Sequence, residues 1–303
     1  MYWRANLPSG GILPRFLAEV KYWVLLLPPI KVSAMPAAYK VSCKEKKPQI
    51  CRTKLQAYNY WKLFKALNYT DVLITEATKD GKDESEVTVN GNRISECSDL
   101  EVILEDMVRC RGILRKDMEK RKLILQHLEA EASPLTSSET YKEAEPEKFT
   151  VENVIIPLLS CLGYTASNIS KGQEADLVLN LKGTRIVLSA EVLDDADYEK
   201  DTLKIIELIR EGGEDCMGGI ATDGRRWLFA VLVNGNPVNS GLIDLRDLLR
   251  IMYAKTADEK ELAKFAGVWK YFTEMMSADT IIASARTIFD RFNRQTAVEV
   301  KSE

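Results

Sequence analysis

The chain of 303 residues contains one histidine, His127. A Ser-His-Asp or Cys-His mechanism needs an imidazole beside its nucleophile. His127 lies in a charged helical stretch away from the apolar core segments, so that class of catalysis is set aside. The six cysteines, at 43, 51, 97, 110, 161 and 216, include no C-x-x-C pair. With a single histidine they complete no zinc site at any usual spacing. Cysteines isolated in this way read as reduced, buried small hydrophobes, and a cytoplasmic location is the expectation. No glycine-rich phosphate loop is present: Asp80-Gly81-Lys82-Asp83 lacks the upstream glycine and the hydroxyl, which excludes a nucleotide-driven motor. The apolar run Tyr22–Leu27 ends at Pro28-Pro29, too short for a membrane span and without a small-residue cleavage site, so no membrane partner is expected. Positive charge is not in excess either. The net charge is −3, so any contact with nucleic acid must use a local patch.

What is present is an ordinary globular composition, 46% apolar and 29% charged. Residues 1–34 read as an extension from an upstream start codon, outside the fold. Residues 35–131 read as a small α+β unit with a long basic helix. Within it, 52–67 has helical spacing of Leu55, Tyr58, Trp61, Leu63, Phe64 and Leu67, and Val72-Leu73-Ile74 is a short apolar run. Asn90-Gly91 between β-formers predicts a two-residue hairpin. Ser98-Asp99-Leu100-Glu101 predicts a capping box that opens a helix over 99–131, with Gly112 as the place where it bends or splits. Arg109, Arg111, Arg115, Lys116, Lys120, Arg121 and Lys122 flank that helix. A charge run of this kind is ordinarily a solvated face, and the sharper reading is a nucleic-acid contact. Residues 132–148 read as a Pro/Ser/Thr/Glu linker.

After the linker the pattern alternates: helix 152–162, strand 176–181, a Lys182-Gly183 turn, strand 185–192, helix 201–211, then strands 218–222 and 227–233 about an Asp223-Gly224 turn. Three helices follow. Domains are drawn at 149–275 and 276–303, the latter a C-terminal helix and tail. Pairing about Lys182-Gly183 sets Asp176 and Glu191 close to opposite each other at one strand end. Two carboxylates there form a hard-oxygen site suited to Mg²⁺, with Mn²⁺ the alternative. Such a cation polarises a phosphodiester and activates water. Glu152, in the first turn of the preceding helix, is the expected third oxygen.

Four segments in order carry a family resemblance. They are Lys148–Leu159 with Leu162-Gly163-Tyr164, Glu174-Ala175-Asp176-Leu177-Val178-Leu179, Val187-Leu188-Ser189-Ala190-Glu191-Val192, and Gly219–Phe229 containing Thr222-Asp223-Gly224 and Trp227. Together residues 148–253 resemble the N-terminal nuclease domain of type I restriction enzyme R subunits, a branch of the PD-(D/E)XK superfamily. The resemblance implies a restriction-endonuclease-like α/β fold, a mixed central sheet flanked by helices. It also implies Mg²⁺-dependent cleavage of DNA in restriction or defence, with Asp176 and Glu191 as metal ligands and Glu152 supporting. The family's lysine two residues after the Glu is Leu193 here, and its glutamine in the next helix is missing from Thr202–Arg210. That lysine orients the attacking water and stabilises developing charge. A migrated lysine is one expected substitute: Lys204 on the next helix or Lys200 just before it, with Lys182, in the hairpin turn at the opposite strand end, the weaker candidate. The alternative is a catalytically inactive nuclease-fold module that binds nucleic acid or a protein, with the 99–131 helix as its homodimer or partner surface.

Overall fold

The structure, a computed structural model, describes residues 38–77, 84–129, 146–181, 183–193 and 197–299. The proposed 1–34 extension, most of the 132–148 linker and Lys182 lie outside the described residues. β1 (Ala38–Ser42), β2 (Gln49–Cys51), β3 (Leu73–Ala77) and β4 (Glu84–Glu86) form an antiparallel sheet of order β2-β1-β3-β4. α1 (Lys54–Ala66) packs on it. Helix α1 starts at a capping box: the Thr53 hydroxyl accepts from Gln56 N–H and the Gln56 side chain accepts from Thr53 N–H. β5 (Thr88–Val89) and β6 (Asn92–Arg93) form the hairpin, with Asn90 at φ 50° and Gly91 at φ 86°. Positive φ at both turn positions is what a type I′ hairpin requires and what Asn-Gly supplies.

The capping box at Ser98 and Glu101 opens α2 (Asp99–Leu114) as expected. The expected single helix over 99–131 is two, and the break is not at Gly112. It falls before α3 (Met118–Glu129), where the Asp117 carboxylate accepts from Glu119 N–H and Lys120 N–H. An aspartate that caps a new helix competes with continuation of the old one. The basic residues of α2 are also not a free face. Arg109 donates to the Cys161 carbonyl, Arg111 to that of Ala254 and Arg115 to that of Lys255. Cys161 and Ala254 end two other helices, whose last carbonyls lack intrahelical donors and carry the negative end of the helix dipole. The arginines therefore act as internal C-terminal caps.

One continuous helix, α4, follows in three parts: Pro146–Thr150, a π-helical Val151–Ile155 and Ile156–Cys161. It begins at Pro146, inside the segment read as linker; proline at a first helical position loses no hydrogen bond there. The main sheet has seven strands: β7 (Ile169–Lys171), β8 (Leu177–Leu181), β9 (Thr184–Ala190), β10 (Cys216–Thr222), β11 (Arg226–Val233), β12 (Asn236–Asn239) and β13 (Ile243–Asp244). The order is β12-β11-β10-β9-β8-β7, with β13 on β11. β9 and β10 are parallel, joined by α5 (Tyr198–Glu211), and the other pairs are antiparallel. The fold class is thus mixed α/β.

Helix α5 covers one face of this sheet. Gly219 lets it approach: a Cβ there would lie 2.9 Å from Ile205 Cγ2. On the other face lies the larger core, built with α4, α6 (Arg246–Tyr253), α7 (Glu259–Ala263), α8 (Ala266–Met276) and α9 (Ile281–Glu299). The helix expected from Asp258 is split between α7 and α8. Trp227 and Phe272 meet edge to face at 5.2 Å there, and the Trp227 indole N–H donates to the Gly224 carbonyl. Trp227 is fully buried, a core aromatic against the sheet.

α2 packs against α1, α4, α6, α7 and α8, tying the first half of the described chain to the sheet half. At its centre Asp106, almost fully buried, accepts from Arg109 Nε at 3.0 Å, Arg109 Nη2 at 2.8 Å and Trp269 Nε1 at 2.9 Å. Removing one partner of a buried pair leaves the other charge uncompensated. Asp106→Ala is therefore expected to lower stability by about 3 kcal/mol or more in denaturant unfolding.

Candidate functional site

The chain leaves β9 at Ala190, and three hydrogen bonds fix how it does so. Ala190 N–H donates to Asp176 Oδ2 at 2.7 Å, Glu191 N–H to the Thr222 carbonyl at 2.9 Å, and Leu193 N–H to Thr150 Oγ1 at 2.9 Å. The expected register is off by one step on each strand. Leu181 pairs with Thr184 and Leu177 with Leu188, so Asp176 falls opposite Ser189, not Glu191. A turn of only two residues requires this. Strand alternation still puts Asp176, Ser189 and Glu191 on one side, the side of Val187, which packs with Ile205 of α5. Asp176 and Glu191 are diagonal neighbours.

Helix α5 brings the ammonium. Its N-cap is Asp197, whose carboxylate accepts from Glu199 N–H and Lys200 N–H. Lys204, in the second turn, donates to Glu191 Oε1 at 3.3 Å, with both side chains partly exposed. A pair open to water contributes at most about 1 kcal/mol, so its importance is positional. Lys200 is exposed and its backbone, not its ammonium, meets Asp197. Asp201, one turn before Lys204, is 4% exposed. Burial, then the charges of Glu191 and Asp197, push its carboxyl up to about 6, while Lys204 opposes the shift.

Glu152 is exposed and sits two residues from Thr150, whose hydroxyl points to Leu193. Residues two apart do not share a helix face. The acid that reaches the site from α4 is Glu147, three residues before Thr150. Its carboxyl shares a hydrogen bond with Asp176. It is pushed up to about 7, first by partial burial and then by that bond and the Asp176 charge, with Glu191 adding to the shift and Lys204 opposing it. Glu147 was hidden in a glutamate-rich linker composition; the signal that could have found it was Pro146 as a helix start. Thr150, Asp201 and Ser189 were missed as well, because each acts through a tertiary contact or its burial.

Leu193 is 2% exposed. With the strand ended, period-two alternation no longer governs it, and the side chain turns into the core beside Val154 and Gly224. Gly224 has φ +82° in the Asp223-Gly224 turn, and a Cβ there would lie 2.9 Å from Val154 Cγ1. Asp223, fully buried, accepts from the N–H groups of Arg225 and Arg226 and from the Arg226 guanidinium. Arg225 pairs with Asp244 at 2.8 Å. Both turn arginines therefore have internal partners.

Among the described residues no three Asp, Glu, His or Cys side chains converge closely enough to hold a metal ion as they stand. The donor chemistry nonetheless fits a hard cation: carboxylates of Glu147, Asp176 and Glu191, with the buried Ser189 hydroxyl, which has no hydrogen-bond partner, on the same side. No helix among the described residues is long and apolar enough to cross a membrane. No protein-family model, no curated protein and no solved structure matches the chain.

Two outcomes are expected here. A carboxyl with a raised folded value binds its proton more tightly in the native state, so stability falls as pH rises from about 4.5 to about 7. Glu147→Gln removes that loss, so its melting temperature relative to wild type should climb across this window and level off above it. Leu193→Lys places an ammonium in the core and should destabilise by several kcal/mol, ~3 or more, in denaturant titration, without creating a site lysine.

Proposed function

We propose that this chain carries a divergent nuclease domain of the type I restriction R-subunit kind, and that it cleaves DNA phosphodiesters with Mg²⁺. The observation that carries this reading is the Lys204 ammonium at 3.3 Å from Glu191, delivered by α5 where the sequence has Leu193. The order of helix, antiparallel hairpin, crossover helix and parallel strand, with an acid on each hairpin strand, supports the restriction-endonuclease-like assignment.

In this reading Asp176 and Glu191 would hold the cation, and Glu147, once deprotonated, would be a further oxygen donor beside them. A bound Mg²⁺ supplies a polarised phosphoryl group and a more acidic water. The chain's own residues do the rest. Asp176 is held rigid by Ala190 N–H. Lys204 orients the attacking water and stabilises charge that develops on the phosphoryl oxygens. Exposed Lys148 and Lys200, next in sequence to Glu147 and Asp201, supply the local positive charge that a chain of net charge −3 lacks overall. The arginines of α2, bonded to helix carbonyls, argue against that helix as the DNA surface.

The test is cleavage of plasmid DNA with Mg²⁺ or Mn²⁺. Wild type should nick or linearise it; Asp176→Ala and Glu191→Ala should abolish cleavage; Lys204→Ala should slow it by about a hundredfold. Absence of cation-dependent cleavage by pure wild type would sink the enzyme reading and leave the alternative, an inactive module of the same fold that binds nucleic acid or a protein. Equal cleavage by the variants would sink the site assignment.

A further inference from the structure

Ser189 is 1% exposed, and its hydroxyl has no hydrogen-bond partner. Buried hydroxyls are nearly always paired, so one that is not needs a reason. Its place in the fold suggests one. The β8–β9 register sets Ser189 opposite Asp176, and strand alternation puts Glu191 next along the same side. On its other flank Ser189 pairs with Ala221 of β10, which has no polar side chain to offer it. Helix α5 lies over this side with Ile205 against Val187, and it carries Asp201 and Lys204. By register the hydroxyl thus lies on the side of the two carboxylates and of α5, with no hydrogen-bond partner of its own.

We propose that Ser189 is a positioning residue for a divalent cation held by Asp176 and Glu191, its hydroxyl the hydrogen-bond partner of a water on that cation. This rests on the nuclease reading of the same site. A small hard cation keeps several of its waters, and each needs partners beyond the metal. Carboxylates only accept, whereas a serine hydroxyl both donates and accepts, so it can receive a hydrogen from such a water and pass its own to a carboxylate. Partners of this outer kind hold ligands in place, and their loss weakens metal binding about 10- to 100-fold. An orphaned hydroxyl also opposes folding until the cation arrives.

The two consequences have opposite signs, which makes the idea testable. Calorimetric titration of the full chain with Mg²⁺ alone, repeated with Mn²⁺, should show binding by wild type, none by Asp176→Asn, and about tenfold weaker binding by Ser189→Ala. Thermal unfolding without cation should show Ser189→Ala melting about 2 °C higher than wild type, because the unpaired group is gone. If Ser189→Ala binds Mg²⁺ as wild type does while Asp176→Asn does not, this inference falls and the nuclease reading stands. If the Ala variant melts lower without cation, the hydroxyl already has a partner and the inference is overturned. If wild type binds neither cation, both readings fall.

Discussion

Everything proposed for this protein depends on how the chain leaves β9. Ala190 N–H is taken by a side chain, Asp176, and Glu191 N–H by the neighbouring strand at Thr222. Ladder pairing with β8 is over by then, so the next residues are free of strand geometry. Leu193 N–H goes to the Thr150 hydroxyl, its side chain goes into the core, and Glu191 is left just past the end of β9, where Lys204 of α5 meets it. A lysine two residues after the glutamate would share its face only if the strand continued. Here it does not, and the ammonium that meets Glu191 comes from elsewhere. Helix α5 must cross over the sheet to make β9 and β10 parallel, and that crossing carries Lys204 to Glu191.

The carboxylates around this point are held in tension with one another. Glu147 and Asp201 both keep their protons to higher pH than ordinary carboxyls do, each first through burial and then through neighbouring acids. One ammonium lowers both values and cannot neutralise four acids. Crowded acids of this kind cost stability, and carboxyls perturbed in this way cluster at functional sites. Leu193, Val154 and Gly224, by contrast, make a tight apolar wall behind the site.

The first half of the described chain is not a separate bystander. Three arginines of α2 reach carbonyls around the ends of α4 and α6, and Asp106 joins α2 to Trp269 of α8 through a buried hydrogen bond. These bonds account for Arg109, Arg111 and Arg115 without calling on a nucleic acid. A long run of positive residues looks the same in sequence whether it meets phosphate, water or helix carbonyls. Only the neighbours distinguish them.

Local interactions were legible in the sequence. The Asn90-Gly91 hairpin, the Ser98 capping box, α1 and the alternation of β8, α5, β10 and β11 all follow from turn chemistry, capping and hydrophobic period within about a dozen residues. Strands β2, β7 and β12 were not, being only three or four residues long. The acids Asp176 and Glu191 could be named because each ends a recognisable strand. Glu147, Asp201 and Ser189 could not, since Asp201 and Ser189 are marked by burial and Glu147 by its meeting with Asp176, neither of which local sequence encodes. The sequence by itself determined the elements whose turns, caps and hydrophobic period are local, and that two carboxylates stand at one strand end. The tertiary structure decided which acid joins them, which lysine faces them and that Leu193 belongs to the core, because a strand's end and a helix's crossing set those distances and neither is encoded locally.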